Sequence, residues 1–109
     1  VRYTQAFLRL LRFGSRAMLW RRTASEAAQL IGDGTVDLVF VDFCDTTCAE
    51  DVREWIPKLR DGGIMALHDY WHYDRIQAAH AVIQEYPPHD GVMNMAADNT
   101  LFWEPAQTP

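Results

Sequence analysis

The chain has 109 residues, 49% of them hydrophobic, and carries 15 acidic side chains against 10 Lys and Arg, for a formal net charge of −5. That length gives a single domain over residues 1–109. Such a domain buries about two-thirds of its unfolded surface, and so apolar a composition excludes disorder. The acidic balance argues against nucleic acid as a partner, because nucleic acid selects basic surfaces. No apolar run reaches the ~18 residues that a membrane span requires, so no membrane partner is expected. Cys44 and Cys48 have neither the number of a disulfide framework nor the spacing of a zinc knuckle. They read as free thiols of a cytoplasmic protein.

Tyr3 to Phe13 places apolar residues at helical spacing, interrupted by Arg9 and Arg12 and stopped by Gly14. This is an amphipathic helix rather than a signal peptide. Ala17 to Trp20 is a short apolar strand. Thr23 and Glu26 fit a capping box that opens a helix from Ala24 to Ile31, ended by Gly32 and Gly34. Val36 to Phe43 (VDLVFVDF) is β-branched and nearly all apolar, the pattern of a strand covered on both faces. Asp51 to Leu59 follows as a helix with Val52, Trp55, Ile56 and Leu59 on one stripe. Asp61-Gly62-Gly63 is a turn, and Ile64 to Leu67 a second buried strand. Strand, helix and strand make a parallel, right-handed βαβ unit. Arg75 to Tyr86 is an amphipathic helix with Ile76, Ala79, Val82, Ile83 and Tyr86 inward, ended by Pro87 and Pro88. Val92 to Met95 and Thr100 to Trp103, joined by Ala96-Ala97-Asp98-Asn99, form an antiparallel hairpin. Together these elements predict a three-layer α/β sheet.

In open parallel sheets ligands bind beyond the carboxyl ends of the strands. Three places qualify: Thr23-Ala24-Ser25, the segment from Asp42 onward, and His68-Asp69-Tyr70. Carboxylates at neighbouring strand ends can share a divalent cation. They can equally act as an acid–base pair, or simply cap a helix and a turn. His68 and His72 would share a face only on a helix, and their aromatic surroundings (Tyr70, Trp71 and Tyr73) suit a lid or packed loop better. His80, mid-helix, and His89, in a loop, read as solvated or satisfied histidines.

From Val36 to Tyr70 the chain resembles the half of class I S-adenosylmethionine (SAM)-dependent methyltransferases that follows the main cofactor-binding segment. The nearest group is the small O-methyltransferase-like branch. The resemblance rests on VDLVFVD ending at Asp42, then Asp51-Val52-Arg53-Glu54-Trp55, then Arg60-Asp61-Gly62-Gly63, then IMAL and His68-Asp69-Tyr70. It extends over roughly residues 15–104, with Ser25-Glu26-Ala27-Ala28 matching the turn and helix on the adenine side. It implies a Rossmann-like methyltransferase sheet, mostly parallel, closed by a C-terminal antiparallel hairpin and lacking its N-terminal strands.

By that resemblance, Thr23, Ala24, Ser25 and Asp42 belong to the cofactor site. Asp42 and Asp69 bind a divalent cation such as Mg2+, and His68 and Asp69 are catalytic. The implied function is methyl transfer from SAM to a hydroxyl of a small molecule or sugar. Two departures stand out. The glycine-rich loop and the ribose-binding acid of the family are absent. After Asp42 the chain reads Phe43-Cys44-Asp45-Thr46-Thr47 where relatives carry Asp-Gly-Asp-His-Ser-Tyr. The alternative is an inactive methyltransferase-like remnant acting as an interaction module. VDLVFVD also resembles the strand that carries the phosphorylated Asp of a receiver domain, but the acidic pair and the later Lys of that domain are missing. The expected partners are a small-molecule substrate and either a second copy of the chain, paired through an edge strand at Ala17–Trp20, or a separate N-terminal half.

Overall fold

The computed structural model describes residues 2–42, 48–68, 81–82, 84–86, 88–95 and 100–106, with the backbone alone at 48 and 88–95. The first helix, α1, runs over Arg2–Leu10 and gives way to a 3-10 stretch, Leu11–Arg16, kinked where Gly14 takes φ 58°. A second helix, α2, spans Ala24–Gln29. The strongest strand of the sequence is β1, Val36–Val41. The crossover that follows is α3, Cys48–Trp55, with a 3-10 turn at Ile56–Lys58. It delivers β2, Leu59–Leu67, in parallel register beside β1. The chain closes with β3, Pro88–Met95, and β4, Leu101–Pro105, which pair antiparallel. The sheet order is β1-β2-β4-β3, with β2 and β4 also antiparallel.

The core lies on one face of this sheet. The stripe expected on α3 presents Val52 and Ile56 to Leu59, Met65 and Leu67 of β2 and to Leu101 and Trp103 of β4. Val82 joins them from a helical stretch at residues 81, 82, 84 and 85. All eight are at most 3% exposed. Arg53 of α3 donates two hydrogen bonds to Glu85, at 2.8 and 3.1 Å, so the two helices run side by side. That bond holds the Glu85 carboxyl below its usual range and raises Arg53. Both groups remain exposed to water, so the pair orients the helices more than it stabilises them.

Several expectations are corrected. Ala17–Trp20 is not a strand: it has no ladder partner among the described residues. The sheet is therefore mixed rather than mostly parallel, with one parallel pair, because only one βαβ crossover is formed among the described residues. The described helices of the core cover one face, so three layers are not formed by the described residues. Strand β1 is not covered on both faces: Leu38 and Phe40, on the face opposite the core, are 52% and 55% exposed. Asp61-Gly62-Gly63 does not end a strand but lies within β2. Two steps along β1, from Val36 to Leu38, oppose five along β2, from Leu59 to Ile64, so the glycines form a bulge. Gly62 takes φ 80°, and a Cβ on Gly63 would lie 2.9 Å from the Arg60 carbonyl oxygen, so the bulge demands both glycines. Pro88 begins β3 instead of merely ending a helix, which places His89 in that strand and not in a loop. The remainder of the helix expected over Arg75–Tyr86, with His72 and His80, falls outside the described residues.

Ile56, fully buried where α3 meets both central strands, is the sharpest probe of this core. Ile56→Ala should cost about 2–5 kcal/mol, through lost burial and the cavity left behind. Urea unfolding followed by circular dichroism measures it.

Candidate functional site

Parallel pairing lines up the carboxyl ends of β1 and β2. The ladder runs one residue past β2, where the His68 N–H donates to the Val41 carbonyl at 2.9 Å. The residues that follow the two strands therefore lie side by side. His68 Nδ1 is 3.1 Å from Asp42 Oδ1. The imidazole also tilts against the Phe40 ring, with centroids 5.9 Å apart. Asp42 is largely exposed, and the His68 side chain is 33% exposed. When Nδ1 donates its hydrogen to the carboxylate, Nε2 is the proton-accepting nitrogen of the ring.

Asp42 also ends a cleft of about 380 Å³ that runs along β1. Its far wall is Ala24 and Trp55, and Asp51, 8% exposed, lines it from α3. The capping box read in the sequence brings Ala24 there. Thr23 Oγ1 accepts from the Glu26 N–H at 3.1 Å, and Glu26 Oε1 accepts from the Thr23 N–H at 3.2 Å. Trp55 Nε1 then donates to the Ala24 carbonyl at 3.0 Å, fastening the start of α2 to α3.

The expected site residues thus have different fates. Asp42 and His68 are brought together. Ala24 shares the cleft with Asp42, whereas Thr23 is occupied in capping and Ser25 is half-buried outside the cleft lining. Asp69, expected as catalytic residue and metal ligand, lies outside the described residues, as does Tyr70. No group of three His, Cys, Asp or Glu side chains converges among the described residues. At this strand end Asp42 offers a divalent cation one carboxylate, and Mg2+ is commonly held by one or two carboxylates with water completing its shell. Phe40, Asp51 and Trp55 went unrecognised as cleft residues. Asp51 and Trp55 did stand in the motif, four apart on one helix: Asp51 reads there as the start of the helix and Trp55 as part of its packing stripe.

Known proteins were compared with the chain in this light. A family described as a methyltransferase domain matches residues 2–70, which include α1, β1, the α3 crossover and β2 through His68-Asp69-Tyr70. A search of curated proteins gives no match. The matched family implies SAM as methyl donor in general.

The capping box carries a pH signature. Its hydrogen bonds from Thr23 hold the Glu26 carboxyl below 4.5. A carboxyl lowered by folding stabilises above its unfolded pKa, and that stability is lost as pH falls through the folded value. Thr23→Ala should destabilise the chain by about 1 kcal/mol at neutral pH. The difference between wild type and Glu26→Ala, which removes the titrating carboxylate held by the Thr23 N–H, should shrink on acidification, as thermal unfolding at a series of pH values would measure.

Proposed function

Since the chain belongs to the SAM-dependent class I methyltransferase domains, we propose that it serves methyl transfer to a hydroxyl of a small molecule or sugar. The observation that carries this reading is the Asp42–His68 contact of 3.1 Å at the end of an apolar cleft. SAM, when bound, supplies a methyl group on a sulfonium that a nucleophilic oxygen can take. The chain's own part is to bind, orient and deprotonate. Ala24, Phe40 and Trp55 offer apolar walls suited to a flat purine. His68 Nε2 takes the proton of the acceptor hydroxyl as its oxygen attacks, and Asp42 holds the Nδ1–H and stabilises the imidazolium that forms. The oxygen gains the methyl group, and the sulfur keeps the bonding electrons as a thioether.

Assistance by a divalent cation held by Asp42 and Asp69 is the finer form of the same proposal. Such an ion would acidify the hydroxyl. With Asp42 turned toward His68, proton transfer through the imidazole is the better supported route. A second reading, an inactive methyltransferase-like module, concerns residues 1–109 taken in isolation, which contain no Gly-x-Gly-x-Gly loop to hold the donor.

Two measurements separate these readings. Calorimetric titration of SAM into the chain should show weak or undetectable binding, because each missing hydrogen bond forfeits roughly 0.5–1.5 kcal/mol; micromolar affinity would contradict this. Methyl transfer from labelled SAM to hydroxyl acceptors should fall about 10²–10⁴-fold in His68→Ala and clearly in Asp42→Asn. Equal turnover in wild type and both variants would overturn the assignment of the base. No turnover with any acceptor, at any SAM concentration tried, would select the inactive module.

A further inference from the structure

Phe40 lies on β1 and Asp42 one step beyond its end, two residues on, so their side chains rise on the same face of the sheet. In the ladder Phe40 lies opposite Ala66 and Val41 opposite Leu67, and the His68 N–H carries the pairing one residue further. Asp42 therefore stands level with His68, and Phe40 one diagonal step behind it. Ala66 also faces Phe102 of β4 and is fully buried. Because its side chain ends at a methyl, no branch of β2 stands between the Phe40 and His68 rings. Their centroids are 5.9 Å apart, with the planes tilted by 40°.

Two contacts thus act on the imidazole. Asp42 Oδ1 meets one atom, Nδ1, at 3.1 Å. A single hydrogen bond leaves the ring free to swing about that atom, because the outer torsion of a histidine is broad and roughly two-fold. The Phe40 ring meets the imidazole as a plane, at the separation of attractive aromatic pairs. An atom and a plane together fix where Nε2 points. Phe40 is 55% exposed and stands apart from the buried cluster that holds sheet and helices together. Packing of the core therefore does not account for an aromatic side chain at this position.

We propose that Phe40 is a positioning residue for His68: its ring holds the imidazole in the orientation in which Nδ1 gives its hydrogen to Asp42 and Nε2 faces the acceptor hydroxyl. This rests on the reading of His68 as proton acceptor. Asp42 selects the tautomer, and Phe40 selects the orientation in which that tautomer persists. The proton still moves from the acceptor oxygen to Nε2, and Phe40 exchanges none. The contact with His68 is separate from the place of Phe40 in the cleft wall. A wall for the donor acts on the KM for SAM, whereas a misdirected base acts on kcat.

Nuclear magnetic resonance of the full chain without ligand tests this, read at about pH 9, where an imidazole is neutral. In wild type the ring nitrogens of His68 should report mainly the Nδ1–H tautomer, and its carbon-bound protons should carry the ring-current shift of Phe40. Phe40→Leu keeps apolar bulk and removes the planar ring. It should abolish the ring-current shift and let the Nε2–H tautomer appear beside Nδ1–H. Phe40→Tyr keeps the ring and should retain both signals. Leu38→Ala, on the same face two residues back, should leave both unchanged, which separates the contact from a general loosening of β1. Circular dichroism would show that each variant is folded. In methyl transfer, Phe40→Leu should lower kcat about tenfold or more with a smaller change in the KM for SAM, and Phe40→Tyr should restore it. His68 signals in Phe40→Leu identical to wild type would overturn the proposal, as would the same changes in Leu38→Ala. A rise in KM alone, with the imidazole signals unmoved, would leave Phe40 a cleft wall only. A wild type that transfers no methyl group yet shows the expected signals in all three variants would uphold the positioning of the imidazole and remove only its assignment as base.

Discussion

The parallel pairing of β1 with β2 is the constraint on which the rest of the molecule depends. Parallel neighbours require a crossover, and here α3 supplies it, with Val52 and Ile56 packed under the two central strands. The pairing starts early, with the Gly34 and Thr35 N–H groups donating to Pro57 and Lys58 at 3.0 and 2.9 Å. It ends with the His68 N–H on Val41. Between those points the Gly62-Gly63 bulge absorbs the unequal lengths of the two strands. Without it, the register that pairs Val41 with Leu67 would slip, and Asp42 would no longer meet His68.

The same arrangement explains why one face is well packed and one edge is not. The face of Met65, Leu67, Leu101 and Trp103 receives α3 and the helical stretch around Val82. On the opposite face and along β1, Leu38 and Phe40 stay in contact with water. The cleft follows from the same incompleteness. Among the described residues β1 has no neighbour on that side, and Trp55 holds Ala24 across the gap.

Part of the candidate site was legible in the sequence. Strand-end reasoning singled out Asp42 and His68 because hydrophobic β-branched runs announce where buried strands stop, and those stops lie level in parallel strands. It also singled out the capping box, whose partners are three residues apart and need no tertiary information. Asp51 and Trp55 were harder. Their role depends on which side of α3 faces β1 and which faces open space, and amphipathic periodicity gives a stripe without saying where it ends.

Local chemistry in the sequence determined the first three helices, the capping box, the strong strand, the antiparallel closing pair and the family. Each depends on neighbours within a few residues or on one continuous motif. Sheet membership was decided only by the tertiary structure. Ala17–Trp20 has strand propensity but remains outside the sheet, because a strand exists through its ladder partner. Asp61-Gly62-Gly63 has turn chemistry but became a bulge, because β2 had to stay paired across it. The Asp42–His68 contact joins residues 26 positions apart, and only the three-dimensional register of two strands could bring them to 3.1 Å.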